Sequence, residues 1–208
     1  MQTAKTDPPF IPIRSSRWPS RRTPRWVVAA GGILLVVAVA VGLTHRPTNG
    51  QRAADLRGFL QQLNADVESC SGGVRESLFV LRTIDSGAST DVRTALNVAN
   101  TAAANCSPAN NELLVELTSA QPPQSLASYH LEAAVTGLID WAAPRAIRVA
   151  GDVAAVLSAR GRPREAANRA ALHRALHDLD AQRTVVYNAL APAIKSLSPE
   201  SAAPRLYG

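Results

Sequence analysis

Eighteen consecutive residues from Trp26 to Leu43, WVVAAGGILLVVAVAVGL, carry no charge. At about 1.5 Å of rise per residue a helix of that length covers roughly 27 Å, enough to cross the hydrocarbon core of a bilayer. Burying the same stretch inside a small domain would need partners that are apolar on every side, and no other part of the chain has that character. The run therefore predicts a transmembrane helix, and everything after it must be read with that placement in mind.

Charge on the two flanks sets the expected orientation, because Arg and Lys in short flanking loops are retained on the cytoplasmic side. Arg14, Arg17, Arg21, Arg22 and Arg25 precede the run closely, whereas only Arg46 and Arg52 follow it at a comparable distance. The N-terminal side is expected in the cytoplasm and the remainder outside. Trp18 and Trp26 stand where amphipathic rings favour the headgroup region. Two alternatives keep the compartment and change the attachment. Ala38-Val39-Ala40 has the small-residue spacing of a signal-peptidase site, which would release a secreted helical protein. Ser20-Arg21-Arg22-Thr23 resembles the start of a twin-arginine signal, but Pro24 and Arg25 follow where apolar residues are usual.

The net charge of +6 invites a nucleic-acid reading until its location is examined. Residues 1–25 hold six basic side chains against Asp7 alone, a balance of +5, and the other 183 residues hold 16 basic against 15 acidic, a balance of +1. Phosphate binding needs a concentrated basic surface, so the folded part is not expected to bind nucleic acid. The arm itself, with Pro8, Pro9, Pro12, Pro19 and Pro24 among its arginines, reads as extended and disordered. Its five arginines suit the anionic surface of a lipid bilayer or a cytoplasmic partner.

Beyond residues 44–51, a stalk containing Pro47, Asn49 and Gly50, the helical period takes over. Leu56, Leu60, Leu63, Val67, Cys70, Val74, Leu81 and Ile84 recur at steps of three and four, with a break only at Ser77. One long helix is implied, continuous through Gly72-Gly73. Asp85-Ser86-Gly87 stops it, and Ser89 or Thr90 followed by Asp91 restarts the chain with a capping oxygen. Val92, Leu96, Ala99, Ala103 and Cys106 form the next stripe. Two antiparallel helices bring residues equidistant from their turn to one height, and positions 70 and 106 average to 88, inside the turn. Cys70 and Cys106, the only cysteines, are therefore expected to form a disulfide in an oxidising compartment.

Ser107-Pro108 offers a cap and a first-turn proline for a helical piece reaching Ala120. A third long helix is expected from Ser125 to Arg160, bent at Pro144, and a fourth from Pro163 to Leu197, shortened or bent at Pro192. The fold class expected is all-α: one N-terminal transmembrane helix over 26–43, then an extracytoplasmic up-down four-helix bundle over 52–197, with a disordered tail over 198–208. The interruptions at Gly72-Gly73, Pro108 and Pro144 should share one height, where a waist or small cavity could hold a ligand.

Catalytic patterns are absent: no Gly-x-Ser-x-Gly elbow and no phosphate-cradling loop occur, and no cofactor is implied. His173 and His177 stand four apart, a spacing that can place two imidazoles on one metal, with Asp180 as a third candidate. Arg174 occupies the position where a metalloprotease helix needs Glu. Glu112 and Glu116 read as an exposed edge, and Trp141 as core. The sequence thus points to a membrane-anchored module of a bacterial cell envelope, acting through an envelope protein partner or as a scaffold rather than as an enzyme. Ligand or metal sensing by the bundle is the alternative. Ala38 and Gly42 add a small-residue spacing compatible with self-association in the membrane.

Overall fold

The computed structural model describes residues 47–207. The basic arm, the apolar run of 26–43, the first stalk residues and Gly208 lie outside the described residues. Among the described residues no helix is long and apolar enough to cross a membrane.

All regular structure in this part is helical. Helix α1 spans Asn49–Asp85, α2 Val92–Asn105, α3 Glu112–Ser119, α4 Glu132–Asp140, α5 Ile147–Ser158 and α6 Glu165–Leu197. A 3-10 segment, Gln124–Tyr129, precedes α4, and a π-helical turn, Trp141–Ala146, joins α4 to α5.

Helix α1 starts inside the expected stalk. Thr48 and Gln51 form a capping box: the Gln51 amide donates to Thr48 Oγ1 (3.2 Å) and the Thr48 amide donates to Gln51 Oε1 (2.8 Å). Both orphan donors are satisfied, so the helix begins as soon as Pro47 is passed. It then runs unbroken through Gly72-Gly73. Every member of its expected stripe is buried, and so is Ser77, whose hydroxyl donates to the Val74 carbonyl at 2.8 Å and so enters the core without an unpaired group. Gly87, at φ 75°, makes the left-handed turn that ends this pass. The cap of α2 falls on Asp91, whose carboxylate accepts from the Thr94 amide at 3.0 Å and from its hydroxyl at 2.6 Å.

Cys70 and Cys106 stand at bonding distance, S–S 2.05 Å, with Cα atoms 4.5 Å apart. Beside them α1 and α2 nearly touch. A Cβ on Gly73 would lie 3.1 Å from Ala102 Cα, whereas one on Gly72 would meet nothing within 4 Å. Of the two glycines it is Gly73 that the crossing requires.

The later elements depart from expectation in three places, each for a local reason. Helix α3 does not start at Pro108. Asn111 accepts from the Leu113 amide at 3.1 Å and donates to the Asn105 carbonyl at 2.6 Å, so one side chain ends α2 and starts α3, leaving 107–110 as a turn. The third long pass begins at Glu132 rather than Ser125, because 124–129 coils into 3-10 turns that bury Leu126 and stop at His130, φ 51°. Pro144 does not simply bend that pass. Lacking an amide hydrogen it cannot donate to the Asp140 carbonyl, the turn widens to π geometry, and Arg145 Nη1 donates to that carbonyl instead at 2.8 Å. Helix α6 accommodates Pro192 and runs to Leu197.

The passes alternate in direction. At one end Arg160 reaches back to Asp85 and to the Ile84 carbonyl. At the other, Ser125 donates to Asp55, and the hydroxyls of Tyr129 and Ser196 pair at 2.9 Å. Trp141 and the buried Leu and Val residues of all four passes fill a single core between them.

The tail expected to be disordered is docked. Ser198, Pro204 and Leu206 are buried, and residues 198–207 lie against α1 and α6.

The cysteine bridge closes a loop with a sequence separation of 36, which by the loop-entropy model stabilises the fold by about 4 kcal/mol. Replacing both cysteines by serine should lower the unfolding free energy by about 2–4 kcal/mol in chemical denaturation, with far-UV helicity retained. An unchanged midpoint would remove the bridge from the stability of the fold.

Candidate functional site

The residues singled out for metal binding do not converge. His173 and His177 are both exposed on the flank of α6. His177 Nδ1 lies 3.9 Å from Asp178 Oδ1, and Asp180 is engaged by Arg183 rather than turned toward the imidazoles. Among the described residues no three His, Cys, Asp or Glu side chains gather as metal ligands. Glu112 and Glu116 are exposed on α3. The Glu116 charge still reaches Asp66, which is 3% exposed: burial first, and Glu116 second, push the Asp66 carboxyl above its ordinary range.

At the height of the expected waist the helices pack closely, with a cleft of about 250 Å³ beside the crossing lined by Gly73, Glu76, Thr101 and Asn105. Where the glycines of α1 meet α2 the helices approach to the contact limit set by Gly73 and Ala102. The π turn buries Trp141 completely, and a shallow cleft lies outside it between Pro144, Arg148, Asp178 and Gln182. Gln182 Nε2 donates to the Gly137 carbonyl at 3.1 Å, which ties α6 to α4 just below that cleft.

The densest charge cluster sits at the end of the bundle. Asp85 accepts from Arg169 through both oxygens, at 2.8 and 2.7 Å, and from Arg160 at 2.9 Å. Glu165 holds Arg169 from the other side and accepts the Gly161 amide at 2.8 Å. The hydrogen bond from Arg169, aided by its charge and by Arg160, holds the Asp85 carboxyl below the usual range against the opposing effect of burial. Each carboxylate is paired with an arginine, so the cluster acts as a clamp joining the end of α1 to the α5–α6 turn.

The chain's own segment 198–207 lies as a strap in the groove between α1 and α6. Three helix side chains address its backbone. Asn64 Oδ1 accepts from the Arg205 amide at 2.9 Å. Ser71 Oγ donates to the Arg205 carbonyl at 2.8 Å and accepts from the Tyr207 amide at 3.0 Å. The Tyr187 hydroxyl donates to the Pro204 carbonyl at 3.1 Å. Farther along α1, Arg57 meets Glu200 at 3.6 Å and Arg82 donates to the Tyr207 hydroxyl at 3.2 Å. Only Pro204 and Leu206 of its last seven residues are buried. No helical period marks this segment, which is why helix-directed reading passed over it. The spacing of Pro204 and Leu206 is its one visible signal, the two-residue alternation of an irregular or extended segment with one side inward.

No family model matches the chain, and no curated protein and no solved structure is similar to it.

Two measurements check these assignments. Asp85→Asn should cost about 1 kcal/mol at pH 7, within the range for a well-aligned, half-exposed ion pair. Because the folded carboxyl is more acidic than the unfolded one, its contribution is complete above the unfolded value near 4 and fades as pH falls through the folded value. Wild type and variant should therefore converge in stability under acid, and a gap independent of pH would contradict the clamp. Zinc in slight excess should leave the thermal midpoint unchanged in both the parent chain and His173→Ala, since a pair of exposed imidazoles lacks the third and fourth ligands of a stabilising site.

Proposed function

We propose that the chain is a membrane-anchored, extracytoplasmic helical module of a bacterial cell envelope. In this reading residues 26–43 form the transmembrane anchor, residues 1–25 stay in the cytoplasm against the lipid surface, and an up-down four-helix bundle stands outside. The bundle acts by protein–protein interaction or scaffolding, without catalysis.

The observation that carries this reading is the core pair Cys70–Cys106. Disulfides persist in oxidising compartments, and the charge asymmetry around Trp26–Leu43 supports the same placement. An interaction role is supported by the character of the exposed surface. Phe79 is 65% exposed on α1, and Val115 and Val185 are also open to solvent, while the charged residues nearest a cluster, at Asp85, are occupied in the clamp.

Protease added to intact, outer-membrane-permeabilised cells should degrade the part after residue 43 while an N-terminal tag stays protected. The mass of the recovered chain should correspond to an uncleaved N-terminus, and a chain beginning after Ala40 would replace the anchor by secretion. Protection of the C-terminal part, with accessibility only after lysis, would overturn the topology.

A further inference from the structure

We propose that the α1–α6 groove is a docking site for a peptide segment of a partner protein, and that the strap 198–207 is its displaceable internal occupant. The occupant fitted by the groove is a short segment without helix or strand. It carries a proline, a leucine-sized side chain two residues later, an acidic residue four positions before the proline, and bulkier apolar side chains than alanine just before the proline. This deepens the interaction role proposed above and rests on it.

The strap itself shows the recognition chemistry. Asn64, Ser71 and Tyr187 bond four of its main-chain groups, at Pro204, Arg205 and Tyr207. Main-chain bonds of this kind supply affinity to any segment of matching trace, and side-chain pockets supply the selectivity. Two pockets are filled, by Pro204 and Leu206, and Arg57 provides a cation opposite Glu200.

The third is underfilled. Between Leu60, Gln61 and Asn64 of α1 and Ala202 and Ala203 of the strap lies an opening of about 350 Å³. The alanines line it with single methyl groups, so a segment with larger apolar side chains there would bury more surface on the same backbone trace. An internal occupant also competes at an effective concentration on the order of millimolar, so only a strap of modest fit can be displaced. Leaving that pocket half empty is what keeps the strap exchangeable.

The probe is a fluorescent peptide of residues 198–207 carrying A202L and A203L, titrated into the full chain in detergent, with the unaltered peptide alongside. The leucine peptide should bind about tenfold more tightly than the unaltered one, and in a chain truncated after Glu200, where no strap competes, Asn64→Ala/Ser71→Ala should weaken both. In hydrogen exchange, saturating leucine peptide should release the Arg205 and Tyr207 amides of the chain while amides of α1 and α6 stay protected. A chain truncated after Glu200 should bind both peptides more tightly than the intact chain. If the truncated chain fails to fold, the exchange measurement on the intact chain decides: unchanged protection at Arg205 and Tyr207 under saturating peptide overturns the proposal, as does equal affinity for the two peptides. Partner cross-linking in cells that persists when Gln61→Trp fills the opening beside Ala202 and Ala203 would leave the interaction role standing and remove the groove from it.

Discussion

The crossing of α1 and α2 at Gly73, Ala102 and the Cys70–Cys106 pair is the contact on which the rest of the fold is hung. Aromatics make up only 4% of this chain, and its buried positions are filled with Ala, Val and Leu. Small side chains bury little area each, so stability has to come from bringing helix axes close and multiplying dispersion contacts. A glycine opposite an alanine permits the closest approach, and the neighbouring bridge fixes the height of one helix against the other. With α1 and α2 in register, α5 and α6 have one set of grooves to enter. The α5–α6 turn then arrives where Asp85 can be held by Arg160 and Arg169.

Long-range features were legible in the sequence where one physical rule acted without competition. The α1 stripe from Leu56 to Ile84 keeps a three-four period over about eight turns with a break only at Ser77, so continuity through the glycines and the burial of every stripe residue could be read directly. The cysteine pairing followed from the turn midpoint. Ser77 broke the apolar pattern without breaking the helix because its hydroxyl bonds within its own helix, a local solution that hydropathy does not register. Starts and irregular turns were less legible, since several capping residues competed for each. Asn111 won over Ser107 because it alone could serve the end of α2 as well. Pro144 could have bent or widened the helix, and an arginine one residue later, able to serve the vacated carbonyl, tipped it to the wider turn. The strap was missed because its anchors, Asn64, Ser71 and Tyr187, look like ordinary polar positions on helices whose apolar faces are already accounted for.

Among the described residues three buried side-chain atoms are without partners: Arg52 Nε, one oxygen of the Asp66 carboxyl and the indole N–H of Trp141. Each costs stability that a wholly apolar side chain of similar volume would not. Burial answers part of the cost at Asp66 by favouring its neutral form, an effect the nearby Glu116 strengthens. The consequence is a bundle whose middle is held by covalent and close-packing constraints and carries local polar strain, rather than one stabilised evenly along its length.

Such unevenness bears on how a protein of this kind can bind. Opening free energies follow local contact density, so the helices bonded through the bridge and clamp are expected to open last and the strap, held by a few side-chain bonds and three buried residues, first. In the proposal above, strap release would expose a groove shaped by α1 and α6, which pack against the rest of the core through many residues other than Leu206. The ordering cost of association then falls on the incoming segment alone. That division, a stiff receptor beneath a weakly held internal mimic, is available to a bundle precast by one close helix crossing and would be lost if the four passes could slide against one another.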